Sequence, residues 1–198
     1  MKIDFILTET SGFTHFYPLL QRGCQVQTRL GCGVQTFLTE DLGISPEYIE
    51  NRIQTIFLDS RPVDDVEKTP VGDGAVLALS AAMPGLVGAT MRRGGVLASF
   101  RNTITHRGGD ACASDAVGFV ILKLFNLLVR ELGPGILERG VWVEADVLGE
   151  LLKTQAETLE TAFRRVELDG GGLQVAKLVE SLDAEETKLV RLTVSQNG

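Results

Sequence analysis

The sequence predicts an α/β fold of the α+β kind, and three patterns carry that prediction. Residues 23–30 alternate apolar and polar side chains, which is typical of a strand buried on one face. Residues 34–42 place apolar side chains at helical spacing, and Gly43 follows where a helix would end. Residues 75–80 are apolar almost throughout, which indicates a central strand covered on both faces.

The other elements of the first half follow from composition and turn residues. Residues 2–8 are rich in Ile, Phe and Thr and are predicted to form the first strand. Residues 53–58 have the same character and are predicted to form the third strand. Turns are predicted at 59–62 and at 71–74, where Asp, Ser, Pro and Gly accumulate. The resulting order is strand, strand, helix, strand, turn, strand.

The second half is predicted to be mainly helical. Two long helices are expected, over 114–132 and over 146–166, and Gly133-Pro134-Gly135 is expected to end the first. Residues 96–104 are predicted to be extended. The shorter elements are a strand at 141–144, a helix at 173–182 and a strand at 189–194.

Charge argues against two classes of partner. The net charge of the 198-residue chain is −7, and neither half is basic. Binding along a nucleic-acid backbone requires a positive patch, so a nucleic-acid partner is not expected. An anionic membrane surface is disfavoured for the same reason. The two most apolar stretches are too short and too often interrupted to span a bilayer.

Cysteine use favours a reducing compartment. The chain has three cysteines, Cys24, Cys32 and Cys112, and an odd, sparse set does not form a disulfide framework. The first residues lack the basic-then-apolar layout of a signal peptide. We therefore expect a cytoplasmic protein.

Residues 1–95 resemble the β-grasp sulfur carriers and ubiquitin-like proteins, among them the molybdopterin-synthase small subunit and the thiamine-pathway sulfur carrier. The element order is that of a hairpin followed by a crossover helix onto a mixed sheet. Residues 56–63 and 71–79 are similar to that family's turn segments, and Arg92-Arg93-Gly94-Gly95 looks like its Arg-Gly-Gly tail. The resemblance implies a β-grasp domain over 1–95. Residues 96–198 are expected to form a separate α+β domain.

The resemblance also implies sulfur transfer or metal-cofactor biosynthesis as the setting. In that family Gly-Gly is the chain end, whose carboxylate becomes adenylated and then thiocarboxylated. Here Val96 follows Gly95, and the chain continues for about a hundred residues. Carrier chemistry would therefore require cleavage after Gly95. The alternative is that Gly94 and Gly95 form a turn or linker.

A concentration of arginine and glycine over residues 92–109 predicts an anion-binding surface. The candidate residues are Arg92, Arg93, Gly94, Gly95, Arg101 and Arg107. Guanidinium groups bind carboxylate or phosphate in a two-pronged manner, and glycines leave backbone N–H groups approachable. The alternative is a solvated rim in which these arginines pair with the protein's own carboxylates.

No set of catalytic residues is recognisable, and the common nucleotide-binding, hydrolase and metalloprotease motifs are missing from the sequence. If one residue is catalytic, His106 is the candidate, because it lies in a polar loop close in sequence to Asp110 and Cys112. Four well-placed metal ligands are not evident, so neither a metal nor another cofactor is expected.

These observations leave three functional hypotheses. The first is a β-grasp binding or assembly module that acts on a protein partner. The second is an enzyme or a protein for small anionic ligands that uses residues 92–112. The third is a fused sulfur carrier released by cleavage. A homo-oligomer is compatible with each.

Overall fold

A computed structural model describes residues 1–106, 109, 111, 114–155, 158–159, 162–184 and 188–196. The chain divides into two compact units. Met1–Cys24 and Arg130–Gly198 form one, here called the split unit, and Gln25–Val129 form the other, the continuous unit. The domains expected over 1–95 and 96–198 stay a prediction. Within the described residues, no helix is long and apolar enough to cross a membrane.

The described residues contain ten strands and seven helices. The strands are β1 (Lys2–Leu7), β2 (Cys24–Arg29), β3 (Thr55–Leu58), β4 (Arg61–Pro62), β5 (Val76–Ser80), β6 (Val117–Phe125), β7 (Val141–Glu144), β8 (Phe163–Leu168), β9 (Gly171–Gly172) and β10 (Leu189–Ser195). The helices are α1 (Tyr17–Arg22), α2 (Val34–Thr36), α3 (Pro46–Asn51), α4 (Gly85–Met91), α5 (Leu127–Arg139), α6 (Ala145–Thr154) and α7 (Val175–Ala184). Helix α2 continues as a π-helical turn over Phe37–Asp41.

The continuous unit carries its strands in the order β4-β3-β5-β6-β2. Strand β5 is central, antiparallel to β3 and parallel to β6. Leu77 and Leu79 are fully buried, as the apolar character of this strand predicted. Strands β3 and β4 are joined by Asp59 and Ser60, which both have positive φ (49° and 66°). Two positive φ values are the signature of a type I′ hairpin turn, so the turn predicted at 59–62 is confirmed.

The split unit carries its strands in the order β7-β10-β1-β8-β9. Strand β1 is parallel to β10 and antiparallel to β8. Its alternating residues Ile3, Phe5 and Leu7 are buried. The Phe5 and Phe163 rings pack with their centroids 4.8 Å apart. This aromatic contact helps to hold β8 against β1.

The pairing of β1 differs from the expected β-grasp arrangement. Both neighbours of β1, β10 and β8, come from the C-terminal part of the chain. The hairpin expected between the first two strands is therefore not formed in the described part of the chain. The strands of the first half were predicted in their correct order, but the 3-10 helix Thr10–Phe16 and α1, which lie between β1 and β2, were not predicted. The order of strands along the sequence also does not determine which strands pair. Partners far along the chain supply the hydrogen bonds that a local hairpin would have supplied.

The first of the two long helices predicted for the second half, over 114–132, was placed wrongly. Residues 117–125 form β6 rather than a helix, and its burial alternates along the strand. The run is rich in β-branched and aromatic residues, and continuous apolar runs fit a buried strand as well as a buried helix. Helix α5 begins only at Leu127 and contains Pro134, which was expected to lie beyond a helix end.

Two further expectations for this half were wrong. The helix expected over 146–166 ends at Thr154, and Phe163–Leu168 form a strand instead. The reason is the pairing with β1, which gives residues 163–168 a hydrogen-bonding partner. Residues 96–104 are not extended but follow turns and a 3-10 helix, Ala98–Arg101. The other predicted elements, including β7 and β10, are confirmed within one to three residues.

Candidate functional site

Residues 85–104, here called segment 85–104, follow the central strand β5 of the continuous unit. Helix α4 begins at Gly85, whose φ of 76° turns the chain out of the preceding loop. The helix lies so close to that loop that a Cβ at Gly88 would overlap the carbonyl of Met83. Successive turn hydrogen bonds then carry the chain to Ile104, whose N–H donates to the carbonyl of Arg101 at 2.9 Å. The segment is thus a short helix followed by a tight coil.

Arg101 holds this segment together. Its side chain is only 3% exposed and makes a two-pronged ion pair with Asp64, at 2.9 and 2.7 Å. Nε donates to the Thr90 carbonyl at 2.7 Å, and Nη1 donates to Thr105 Oγ1 at 2.8 Å. Nη2 also donates to the Arg92 carbonyl at 3.2 Å. These five bonds match the five N–H groups that a guanidinium carries. An anion at Arg101 would have to displace one of them.

Segment 85–104 exposes a cluster of large apolar side chains. Among the described residues, eight large hydrophobic side chains are exposed, and five of them lie in this segment. They are Leu86 (74%), Val87 (64%), Val96 (94%), Phe100 (79%) and Ile104 (48%), here called the apolar face. Val96 lies in the turn before the 3-10 helix Ala98–Arg101, Phe100 lies in that helix, and Ile104 lies in the turn after it. Arg101, between the last two, points into the protein.

An open cleft of about 400 Å³ lies beside the middle of the segment. Its lining residues are Glu50, Asn51, Ile53, Gln54, Asp64, Arg92, Arg93 and Gly94, and it is here called the Arg92 cleft. Three of the six residues predicted to bind an anion therefore line one cavity. The end of helix α3 and the loop between α3 and β3 also line it, which the sequence did not indicate.

Two of the three arginines at the Arg92 cleft are paired with carboxylates, and within the described residues the third is not. Arg93 Nη2 contacts Glu50 Oε2 and donates to the Ile49 carbonyl, each at 2.9 Å. The Asp64 carboxylate is neutralised by Arg101. In the described part of the chain, the exposed Arg92 guanidinium has no ion-pair or hydrogen-bond partner. It is therefore the cation of the cleft that remains able to take a ligand.

The remaining predicted residues have separate positions. Gly94 has a φ of 61°, and the space where a Cβ would stand is open. Its N–H makes only a long bond, 3.4 Å, to Asp64 Oδ1. The Gly95 N–H donates to the Arg92 carbonyl at 3.2 Å, which closes a turn. Arg107 lies outside the described residues, so anion binding by the six predicted residues stays a prediction.

His106 is half-buried, and its backbone N–H donates to the Pro62 carbonyl at 2.7 Å. Its Nδ1 is buried without a partner in the described part of the chain. Asp110 and Cys112, its proposed companions, lie outside the described residues. Within the described ranges, no group of three or more His, Cys, Asp or Glu side chains could hold a metal ion.

The two described cysteines are buried. Burial raises the pKa of the Cys24 thiol to about 12 and also raises the pKa of Cys32. A thiol whose pKa lies well above neutrality is a poor nucleophile, because the thiolate is the reactive form.

Sequence reasoning missed the partners of the arginines and the apolar face. Asp64 lies 37 residues before Arg101, and Glu50 lies 43 before Arg93, so no local pattern links the pairs. No pattern in the sequence indicated that Val96, Phe100 and Ile104 would be exposed. No protein-family description, curated protein or solved structure matches this chain.

Proposed function

We propose that this chain is a binding protein that docks a different protein on the apolar face of segment 85–104. The observation that carries the proposal is the concentration of exposed Leu86, Val87, Val96, Phe100 and Ile104 on twenty residues. Single exposed hydrophobic side chains are common on any surface. A cluster of them rimmed by polar groups is typical of an interaction site.

The energetics favour a protein partner. Burying one large apolar side chain contributes about 1.5–3 kcal/mol, and aromatic side chains dominate the affinity of many interfaces. Phe100, which is 79% exposed, is the natural anchor. The bonds of Arg101 already hold the coil in place, so less ordering entropy is lost on binding.

Charge argues that the partner is not a second copy. Each copy carries a net charge of −7, so two copies repel at long range. The free Arg92 beside the apolar face instead favours a partner that presents a carboxylate next to its own apolar surface. We therefore commit to a different protein with an apolar and acidic docking surface.

The test is an affinity capture from extracts of native host cells, with mass spectrometry of what is retained. We compare the wild-type chain, Phe100→Ser, and Arg61→Ser as the matched control at an exposed position outside the segment. Phe100 is so exposed that its replacement should change stability by no more than about 0.5 kcal/mol, which a melt verifies.

We expect one or a few proteins to be retained by the wild-type chain and by Arg61→Ser, and to be lost from Phe100→Ser. Equal retention by all three would refute docking on the apolar face. Sedimentation of the purified chain is the companion measurement. A dimer that Phe100→Ser converts to a monomer would show that the occupant is a second copy, contrary to the proposal.

Sulfur transfer or metal-cofactor biosynthesis remains a hypothesis about the setting of this interaction, supported by the resemblance of residues 56–63, 71–79 and 92–95 to sulfur carriers. Its sharpest form is release of a carrier by cleavage after Gly95. Intact-mass measurement of protein from the native host tests that form. A species ending at Gly95 would support it, and only the full-length mass would reject it.

A further inference from the structure

We propose that the Arg92 cleft takes the C-terminal carboxylate of the docked protein. The inference rests on the proposed function, because the cleft lies beside the segment that would hold the rest of the partner. The part of the partner that binds is its C-terminal end: a free carboxylate, the last backbone N–H, and apolar side chains before it.

The net charge of the cleft determines which anion it accepts. Arg93 pairs with Glu50 and Arg101 pairs with Asp64, which leaves the positive charge of Arg92. A single carboxylate neutralises that charge. A phosphate dianion would leave a surplus negative charge next to two carboxylates, in a chain that is already at −7. The cleft therefore favours a carboxylate over a phosphate.

Arg92 and Gly94 supply the hydrogen-bond donors of the cleft. Arg92 offers a planar fork that matches the two oxygens of a carboxylate. The Gly94 N–H is only weakly engaged, since its 3.4 Å bond goes to an oxygen that already accepts from Arg101 at 2.7 Å. The space in front of Gly94 is open, so a ligand oxygen can approach this N–H. Fork and backbone N–H together form a carboxylate site.

Gln54 favours a chain end over an acidic side chain as the ligand. Gln54 lines the cleft, and its Oε1 is buried without a hydrogen-bond donor in the described part of the chain. A buried acceptor without a partner is costly. Rotation of the Gln54 amide toward the cleft would let this oxygen accept a hydrogen bond, so a ligand that brings an N–H is favoured. The last residue of a peptide carries its backbone N–H next to its carboxylate. An Asp or Glu side chain places its carboxylate farther from any N–H.

The experiment uses an array of random decapeptides, each displayed with a free C-terminus and also in amidated form. The full chain is the probe. We expect the bound peptides to end in apolar residues, and we expect amidation to lower their affinity at least tenfold. Arg92→Ala should lower it by a similar factor, Arg92→Lys should lower it less, and the exposed control Arg61→Ala should leave it unchanged.

Three results would overturn the inference: no free-ended peptide binds, amidated peptides bind equally well, or Arg92→Ala binds like the wild-type chain. Amidated peptides that bind through Asp or Glu would assign the cleft to acidic side chains, which also overturns it. Phe100→Ser separates the two proposals. If amidation has no effect on peptide binding, the carboxylate site is refuted. If Phe100→Ser nevertheless fails to retain the host proteins, docking on the apolar face is still supported.

Discussion

Replacing Arg101 by Met should release segment 85–104 from the protein. The methionine fills much of the same volume but makes none of the five hydrogen bonds, and it leaves Asp64 without its counter-charge. Breaking a buried ion pair by removing one partner costs 3–5 kcal/mol as an order of magnitude. The Asp64 side chain is 36% exposed, so water can take over part of the lost bonding. We therefore expect the lower end, about 3 kcal/mol.

Native-state hydrogen exchange measures this loss where it occurs. About 3 kcal/mol corresponds to roughly a hundredfold faster opening. The amide hydrogens of Arg92, Arg93 and Ile104, all bonded within or to the segment, should exchange faster by that factor. The amide hydrogens of β5 should exchange at the wild-type rate. Arg61→Met is the control at an exposed position. Equal exchange of the segment in Arg101→Met and Arg61→Met would refute the role assigned to Arg101.

Three further predictions test the rest of the structure. Leu124→Asp places a carboxylate at a fully buried position of β6 and should cost on the order of 3–5 kcal/mol; a denaturant melt equal to wild type would contradict its burial. The raised pKa of Cys24 keeps the folded thiol protonated while the unfolded thiol ionises, so stability should fall as pH rises from 9.0 toward about 12, by up to roughly 1.4 kcal/mol per pH unit. That extra slope should disappear in Cys24→Ala, and parallel pH profiles of the two proteins would count against the shift. Ser60→Gly relieves a side chain with a φ of 66° in the type I′ turn and should raise stability by about 0.5–1 kcal/mol, whereas a loss in a thermal melt would contradict the turn assignment.

The sequence was informative wherever one residue pattern has one structural solution. The period-two alternation of residues 23–30 and the apolar run at 75–80 led directly to β2 and β5. The apolar run around β6 is longer than the run at 75–80, so it is long enough for a buried helix as well as for a central strand. Its parallel pairing with β5 decides between them, and a pairing between distant residues is not encoded locally. The same reason explains why β1 could not be assigned its partners.

The candidate site was predictable only in part. The arginines and glycines at 92–95 were identified by their local density in an acidic chain, and the structure brings Arg92, Arg93 and Gly94 to one cleft. Arg101 was identified by the same criterion but is occupied by Asp64, a carboxylate 37 residues away. Whether an arginine is free or paired depends on such distant partners. The exposure of Phe100 was likewise unpredictable, since apolar residues are expected inside.

The most direct test of the docking proposal is a scan with a photoreactive amino acid along the surface of the chain. The residue is placed in turn at each position of the apolar face, and at Arg61 and Lys68 as exposed controls outside the segment. After irradiation in native host extract, we expect the apolar-face positions to form a covalent adduct with one different protein. Unlabelled wild-type chain should compete with this reaction, and Phe100→Ser should not. Adducts formed equally from the control positions, or an adduct with twice the mass of the chain, would contradict it.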